Sequence, residues 1–312
     1  MKIPWRAYLE LMRFPAVFTA LADVAMGYLV TRGALHPPAT FALLATVSAL
    51  LYLAGMVLND VFDAEADAQD RPQRPIPSGR VCRKRAAFVG WSLLVAGVLL
   101  AAHVSAHGAD WRPAILAAGL AGCIVLYDAG AKRTALGPVA MGCCRMLNVL
   151  LGMSLAAEGR WPFDPRPWTT AEWAIAAGVG IYIAGVTWFA RTEAHVTSRR
   201  QLLGGIAVML AGLTALATSP RWGAPRSVRF FTEHDSWPLL WIALALVILG
   251  RFSVAATRPE PRRVQSAVRN ALRALIVLDA AVVLGWVGPA WSCAVIALLA
   301  PMLLMERRFN TT

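Results

Sequence analysis

Residues 40–80 read TFALLATVSALLYLAGMVLNDVFDAEADAQDRPQRPIPSGR. The first part of this stretch, Thr40–Leu58, is almost entirely apolar, and a bilayer span needs about 20 such residues. Acidic side chains follow directly, at Asp60, Asp63, Glu65, Asp67 and Asp70. Arginines and prolines come after them. The stretch therefore predicts a helix that crosses a membrane and carries a group of carboxylates where it emerges.

The 312-residue chain is too apolar for a soluble globular protein. Hydrophobic residues make up 58% of it and charged residues 15%, and the mean hydropathy is +0.55. A soluble domain carries about 25% charged residues. The composition excludes a soluble enzyme, a disordered chain and a disulfide scaffold, and it predicts one transmembrane domain over residues 1–312. The net charge of +12 fits the positive-inside rule, so no nucleic-acid partner is expected.

Nine apolar runs are candidate membrane spans, and each must be helical because backbone groups in lipid are satisfied within their own segment. These runs are Pro15–Val30, Thr40–Leu58, Ala86–Ala106, Pro113–Tyr127, Ala135–Ala157, Trp173–Ala190, Leu202–Thr218, Trp237–Ala256 and Ala274–Met305. The last run is too long for one span and is interrupted by Gly288 and Pro289. It predicts either one span with a re-entrant or interfacial piece, or a hairpin. The predicted fold is an all-α transmembrane bundle of nine helices, or ten.

The basic residues predict which loops share one side of the membrane. Most of them fall in the loops Asn59–Arg85, Asp128–Thr134, Arg191–Gln201 and Thr257–Arg273, which the positive-inside rule places in the cytoplasm together with the N-terminus. The segment Glu306–Arg308 favours a cytoplasmic C-terminus and an even number of crossings. The expected protein is multi-pass, in a bacterial inner membrane, with its active-site loops cytoplasmic.

The acidic segment has a helical spacing. At 100° per residue, Asn59, Asp63 and Asp67 advance by 40° at each step and line one face. Hard oxygen ligands stacked in this way suit Mg²⁺, whose coordination is often completed by substrate phosphates. Arg74 and Arg80 follow on a Pro/Gly-rich turn, where they could hold a diphosphate. The alternative is a solvated acidic helix cap beside a basic loop.

The order of these residues resembles a known motif. N-D-x-x-D-x-x-x-D followed by R-P-x-R-P-x-x-x-G is similar to the first aspartate-rich motif of the UbiA superfamily of intramembrane prenyltransferases. The resemblance implies a helical bundle around a central cavity, Mg²⁺-dependent ionisation of an isoprenyl diphosphate, and prenyl transfer to an aromatic or other small-molecule acceptor. The implied metal ligands are Asn59, Asp60, Asp63 and Asp67. Arg71 joins Arg74 and Arg80 as an implied diphosphate ligand.

A second segment, Tyr127–Thr134, is similar to the Y-x-x-x-K element of this family, with one additional residue before Lys132. The resemblance implies that Lys132 neutralises the leaving diphosphate and acts in catalysis with Asp63 and Asp67. It also implies that Tyr127 faces the allylic carbon, since aromatic faces stabilise cations. The alternative for Lys132 is ordinary positive-inside charge.

Charged and polar residues also occur inside apolar runs, where they are costly and usually face a polar cavity. Arg145 and Asn148 lie one helical turn apart. We expect Arg145 to bind the diphosphate, and Asn148 to line the prenyl and acceptor pocket with Tyr127 and Asp128. The alternative for Arg145 is snorkelling to the interface. Asp23, Asp279 and Arg251 are further candidates, and Asp279 could equally pair with an arginine of a neighbouring helix.

The loop after the sixth candidate span departs from the family pattern. A second D-x-x-x-D pair is usual there, but residues 187–200 contain a single carboxylate, Glu193, and Arg191 stands near the position of the first acid. We expect Glu193 to hold metal and Arg191 to bind phosphate in place of a metal charge. The motifs Y-D-x-x-x-K, C-R-x-L-N and F-A-R-T-E together resemble the divergent UbiA-like branch called EboC.

Two functions follow from these patterns. The first is an Mg²⁺-dependent membrane prenyltransferase, whose partners are an isoprenyl diphosphate, a small-molecule acceptor and membrane lipid. The second is a non-catalytic carrier, flippase or lipid-binding protein on the same bundle, with intramembrane charges lining a polar path. The incomplete second motif is the feature that keeps the second function open. The chain length of the prenyl group and the oligomeric state are not indicated by any residue.

Overall fold

The computed structural model describes residues 5–108, 110–155, 168–191, 199–223, 236–257 and 260–309. Its α-helices are α1 Trp5–Leu11, α2 Val17–Arg32, α3 Pro38–Phe62, α4 Ala64–Asp70, α5 Arg83–Gly108, α6 Arg112–Ala129, α7 Gly137–Gly152, α8 Thr170–Ala190, α9 Arg199–Thr218, α10 Ser236–Thr257, α11 Pro261–Trp286, α12 Pro289–Ile296 and α13 Leu299–Phe309. Short 3₁₀ turns lie at Phe14–Ala16, Ala131–Arg133 and Ser219–Trp222. Within these ranges there is no β-strand, which confirms the all-α prediction.

Among the described residues, eight helical stretches are long and apolar enough to cross a membrane. They are Phe14–Arg32, Pro38–Phe62, Arg83–Gly108, Arg112–Ala129, Thr170–Ala190, Arg199–Trp222, Ser236–Thr257 and Pro289–Arg308. Each overlaps one of the predicted spans. The predicted span Ala135–Ala157 corresponds to the shorter apolar helix α7. The chain is therefore a multi-pass membrane protein.

The last predicted run forms a hairpin, which decides between the two alternatives. Helix α11 ends at Trp286, the chain reverses at Gly288 with φ of 123°, and Pro289 begins α12. A positive φ of this kind favours glycine. Ser292 Oγ donates to the Ala280 carbonyl at 2.8 Å, which fastens the two arms together.

Helix α11 begins thirteen residues before the apolar run that predicted it. Its first turns are basic and amphipathic, so a search for apolar residues reads them as a loop. Arg273 in this half reaches Glu306 on α13 at 2.5 Å. Helix α13 also packs on α1. Both described ends of the chain therefore lie at one end of the bundle, as expected for an even number of crossings.

Glycines allow α7, α8 and α9 to pack closely. A Cβ atom on Gly142 of α7 would lie 2.6 Å from the Gly180 carbonyl oxygen of α8. Gly185 and Gly205 bring α8 and α9 together in the same way. Small residues are a usual means of close helix approach in membranes. The order of these contacts along the helices makes the three antiparallel, so the start of α7 and the end of α8 share one end of the bundle.

Candidate active site

The carboxylates of the acidic segment lie where α3 passes into α4. The backbone N–H of Asp63 donates to the Asn59 carbonyl at 3.0 Å, and that of Asp67 donates to the Asp63 carbonyl at 2.8 Å. The helical pattern therefore continues across the junction, although Asp63 itself has φ −88° and ψ 0°. Asn59, Asp63 and Asp67 therefore lie on successive turns of a continuous helical path, as the sequence predicted.

Lys132, in the link between α6 and α7, contacts this face. Its Nζ lies 2.7 Å from Asp63 Oδ2 and 4.0 Å from Asp128 Oδ1. Asn59 Nδ2 donates to Asp128 Oδ1 at 2.8 Å. Arg133 reaches Asp63 at 3.4 Å but its side chain is 66% exposed. Residues 69 positions apart in the chain thus meet at the end of α3, and the diphosphate role of Lys132 stays a prediction.

Arg74 folds back over the other carboxylates. Its Nη1 lies 2.6 Å from Asp67 Oδ2 and 3.4 Å from Asp60 Oδ1, with 15% of the side chain exposed. Asp60 and Asp67 are both buried. An arginine enclosed by two buried carboxylates forms stronger, charge-assisted hydrogen bonds than a surface pair does. Arg74 therefore belongs to the site.

The sequence analysis did not identify Arg13 as a site residue. Its Nη2 lies 3.4 Å from Asp60 Oδ1, and its charge also acts on Tyr127 and Asp128. Arg13 has φ 44° and ψ 46°, the left-handed conformation. A non-glycine residue in an unfavourable backbone conformation costs about 1–3 kcal/mol and is found mostly at functional sites. The available signal was an arginine two residues before Pro15 at the start of the first span.

Two predicted diphosphate ligands lie away from this cluster. Arg80 forms a bidentate pair with Glu10 at 2.6 and 2.9 Å and donates to the Gln73 carbonyl at 2.8 Å. The hydrogen bond to Glu10 raises the pKa of Arg80. Arg71 is exposed at the end of α4. In this structure Arg80 fastens the α4–α5 loop to α1, and a phosphate role for either residue stays a prediction.

Arg145 and Asn148 lie deeper, in a second polar cluster. Arg145 Nη1 pairs with Asp23 Oδ2 at 2.8 Å, and its Nη2 donates to Thr19 Oγ1 at 2.9 Å. Asn148 Nδ2 also donates to Asp23, at 3.1 Å. The Arg145 guanidinium lies 5.7 Å from the ring centroid of Tyr52. Asp23 is the counter-charge of Arg145 in this structure, and a diphosphate role for Arg145 stays a prediction.

The remaining predicted residues are placed less closely. Tyr127 is half-buried on α6 and lies close enough to Asp128 and Asp63 to interact with their charges, and its place at the allylic carbon stays a prediction. Arg191 is exposed at the end of α8, at the same end of the bundle as Lys132. Glu193 lies outside the described residues.

The oxygen atoms of Asn59, Asp63 and Asp67 suit a hard metal ion, although Lys132 and Arg74 form ion pairs with the two aspartates in this structure. Among the residues that the structure describes, no three His, Cys, Asp or Glu side chains converge as a metal-binding group. The carboxylates of Asp63 and Asp67 instead bind Lys132 and Arg74. Carboxylate and amide oxygens are the ligands that Mg²⁺ prefers. The residues therefore fit Mg²⁺ in type, and Lys132 and Arg74 would have to turn toward the phosphates when it binds.

Comparison with known proteins assigns this arrangement to a family. The sequence profile of the UbiA prenyltransferase family matches residues 20–268, which include the acidic segment and Lys132. The chain belongs to the UbiA prenyltransferase family. The family resemblance seen in the aspartate-rich motif is thereby confirmed. The narrower resemblance to the EboC branch stays a prediction.

Similar sequences in the UbiA family come from archaea. The digeranylgeranylglyceryl phosphate synthase of Methanopyrus kandleri is 39% identical over 100 residues, which are 32% of this chain and 36% of that protein. The enzyme of the same name from Metallosphaera sedula is 28% identical over 155 residues, 49% of this chain and 53% of that protein. The matched regions thus span from about a third to about a half of these relatives.

Solved UbiA structures share the fold over nearly the whole chain. A structure of digeranylgeranylglyceryl phosphate synthase superposes with a TM-score of 0.64 at 17% identity, covering 91% of this chain and 98% of the other. A UbiA homologue from Archaeoglobus fulgidus, bound to GPP and Mg²⁺, gives 0.61 at 16% identity and covers 93% and 99%. At such identities the likeness establishes the UbiA-like fold alone.

Proposed function

We propose that this protein is a membrane prenyltransferase, which transfers the prenyl group of an isoprenyl diphosphate to a small-molecule acceptor. One observation carries the proposal: Lys132 of the α6–α7 link lies 2.7 Å from Asp63 at the α3–α4 junction. Cations and carboxylates from separate loops therefore meet in one place. A site of alternating charge at a bundle end suits a metal–diphosphate group, because each partner of that group finds an opposite charge.

Each residue has a definable part in this proposal. Asn59, Asp63 and Asp67 would hold Mg²⁺, which supplies positive charge to the departing diphosphate. Lys132 and Arg74, once released from the carboxylates, would donate hydrogen bonds to the phosphate oxygens. Both donors lie beside the carboxylates before substrate binds, and donors directed at developing charge are usually the largest source of rate enhancement. Tyr127 would face the allylic carbon.

The relatives support this substrate class. The structure of the Archaeoglobus fulgidus homologue holds GPP and Mg²⁺. The curated relatives are named for digeranylgeranylglyceryl phosphate, a glyceryl phosphate that carries two geranylgeranyl groups. We therefore propose a prenylated glyceryl phosphate as the first acceptor to test, and an aromatic acceptor as the second.

The location of the site also belongs to the proposal. We propose that the charged end of the bundle faces the cytoplasm, as the positive-inside rule predicts. A bacterial inner membrane stays a prediction, and the relatives described above are archaeal. The carrier alternative draws little support from the intramembrane charges. Arg145 is paired with Asp23, Arg251 is exposed on α10 and Asp279 is fully buried on α11, which does not favour a shared polar path.

The test uses the purified protein in lipid vesicles with Mg²⁺ and prenyl diphosphates of several lengths, with and without acceptor. We expect acceptor-dependent release of diphosphate and a prenylated product. Asp63→Asn should abolish both. Glu65→Gln is the matched control, because Glu65 belongs to the same acidic segment but its side chain is 89% exposed.

Three results would contradict the proposal. Absence of diphosphate release with every donor and acceptor pair would exclude the transferase. Movement of intact prenyl diphosphate into the vesicle lumen, without release, would identify the carrier instead. An Asp63→Asn variant as active as Glu65→Gln would show that the acidic segment is only a solvated helix end.

A further inference from the structure

A second group of charges lies inside the bundle, beneath the candidate active site. Asp23 of α2 and Arg145 of α7 pair at 2.8 Å, and Asp279 of α11 lies in hydrogen-bonding reach of Asp23. Tyr52 of α3, which stacks on Arg145, is seven residues before Asn59. At 1.5 Å rise per residue, Tyr52 lies about 10 Å along the helix axis from Asn59.

Asp279 has no donor in this environment. The residue is 0% exposed, and neither of its carboxylate oxygens accepts a hydrogen bond from any described residue. Oδ1 of Asp23 is also buried without a donor, while its Oδ2 accepts from Arg145 and Asn148. The neighbour that faces Asp279 is thus another hydrogen-bond acceptor. Two carboxylates in contact repel each other unless something positive lies between them.

The charges of the group do not balance. Arg145 is the one guanidinium among its described members, and Asp23 and Asp279 are two carboxyl groups. Tyr52, Asn148 and Thr19, which contact Arg145 or Asp23, are neutral. With both carboxyl groups ionised the group would carry one uncompensated negative charge. An isolated buried carboxylate is so costly that such a group takes up a proton instead.

We propose that Asp23 and Asp279 bind one proton between them at neutral pH. The proton forms an O–H bond with one carboxyl oxygen and a hydrogen bond to an oxygen of the other. This single proton joins two of the three unpartnered oxygens, one through its covalent bond and one through its hydrogen bond, and makes the group neutral. It also joins α11 to α2, while Arg145 joins α2 to α7. Asp279 is then a positioning residue, which keeps Asp23 directed at Arg145.

A proton fits this site better than a metal ion. A divalent ion would change the net charge of the group from −1 to +1. Mg²⁺ also requires near-octahedral coordination by six ligands, whereas only three buried carboxylate oxygens of Asp23 and Asp279 lack a donor. The described residues hold no third acid, histidine or cysteine that would complete such a site.

The experiment is infrared spectroscopy of the full protein in lipid at pH 7. A protonated carboxyl group has a C=O band that is separate from those of carboxylates and shifts in D₂O. An exposed aspartate, with its ordinary pKa of about 3.9, does not contribute to this band at pH 7. We expect wild type to show the band and each of Asp279→Asn and Asp23→Asn to lose the same component. Asp279→Glu, which retains a carboxyl group, should move it, and Glu65→Gln should leave it unchanged.

Loss of the band in Asp23→Asn is the decisive result, because Asp279 would then ionise to pair with Arg145. The proposal is overturned if wild type lacks the band, if both asparagine variants keep it, or if only Asp279→Asn removes it, since that would mean Asp279 holds a proton alone. Replacing choline by Na⁺ as the buffer cation should leave the band unchanged. Loss of the band in Na⁺ buffer would identify a metal-ion site instead. Absence of the band from the wild-type spectrum overturns the proposal even where a variant fails to fold. None of these measurements depends on the proposed transferase activity.

Discussion

Replacing Lys132 by methionine should separate diphosphate binding from metal binding. Lys132 Nζ lies 2.7 Å from Asp63 and only 11% of the side chain is exposed. A hydrogen bond between charged groups of this kind contributes about 1.5–3 kcal/mol. If Lys132 transfers this interaction to a phosphate oxygen, Lys132→Met should weaken prenyl diphosphate binding about 10- to 150-fold, at about 1.4 kcal/mol for each tenfold change.

The same change should act in the opposite direction on the metal. In the absence of substrate, Lys132 competes with Mg²⁺ for Asp63. Removing the ammonium group leaves Asp63 with only Arg133, at 3.4 Å and largely exposed. Lys132→Met should therefore bind Mg²⁺ alone as tightly as wild type, or more tightly. Titration calorimetry of the protein in lipid nanodiscs, with Mg²⁺ alone and with a non-hydrolysable prenyl diphosphate, measures both affinities.

Arg133→Gln is the matched control for this experiment. Arg133 contacts the same carboxylate, but an exposed pair is worth only about 0.2–1 kcal/mol, so its diphosphate affinity should fall by no more than about fivefold. The reasoning is refuted if Lys132→Met and Arg133→Gln weaken diphosphate binding equally. It is also refuted if Lys132→Met loses Mg²⁺ affinity in the absence of substrate, since Lys132 would then support the metal site instead of competing with it.

Three further predictions concern other parts of the molecule. Arg191→Ala should weaken diphosphate binding by about 1.5–3 kcal/mol if Arg191 binds phosphate, and increased turnover of Arg191→Asp would instead show that a metal ligand has been lost there. Gly142→Ala should lower the thermal unfolding temperature, because its Cβ would lie 2.6 Å from a backbone oxygen of α8. Gly122→Ala, whose Cβ meets nothing within 4 Å, should be neutral or stabilising by up to about 1 kcal/mol, and equal effects would contradict the packing argument. In a cysteine-free background, cysteines at Gly79 and Arg199 should be labelled from the same side of the membrane, and labelling from opposite sides would exclude a single site.

Local sequence patterns were sufficient for the helices that face lipid. Thr40–Leu58 and the other apolar runs can be recognised in the sequence because the bilayer imposes both length and composition on each span. The beginning of α11 was missed for the complementary reason. Its first turns are basic on one face. The burial of Val264, Ala267 and Ala271 and the contact of Arg273 with Glu306 on α13 show that this segment is part of the bundle. The hairpin at Gly288 was left open by the sequence and was decided by the packing of α12 on α11.

The acidic face shows the same division within the candidate site. The spacing of Asn59, Asp63 and Asp67 is a local property of a helix, so the sequence alone predicted that they share a face. The partners of these residues are not local. Lys132 is 69 positions from Asp63 and Arg13 is 47 positions from Asp60. No spacing rule connects them, because their distance is set by how whole helices pack.

Arg145 shows that the sequence alone does not predict the partner of a buried charge. Its place in an apolar run predicted that it faces a polar cavity, since a lone charge in lipid is costly, and the expected partner was a diphosphate. The sequence could not say whether that partner is a ligand or another helix. The fold supplies Asp23, 122 positions away, and brings Asp279 beside it. The sequence determined that the membrane must hold these charges, and the tertiary structure decided which of them neutralise one another, because burial and pairing depend on neighbours that only the packed bundle brings together.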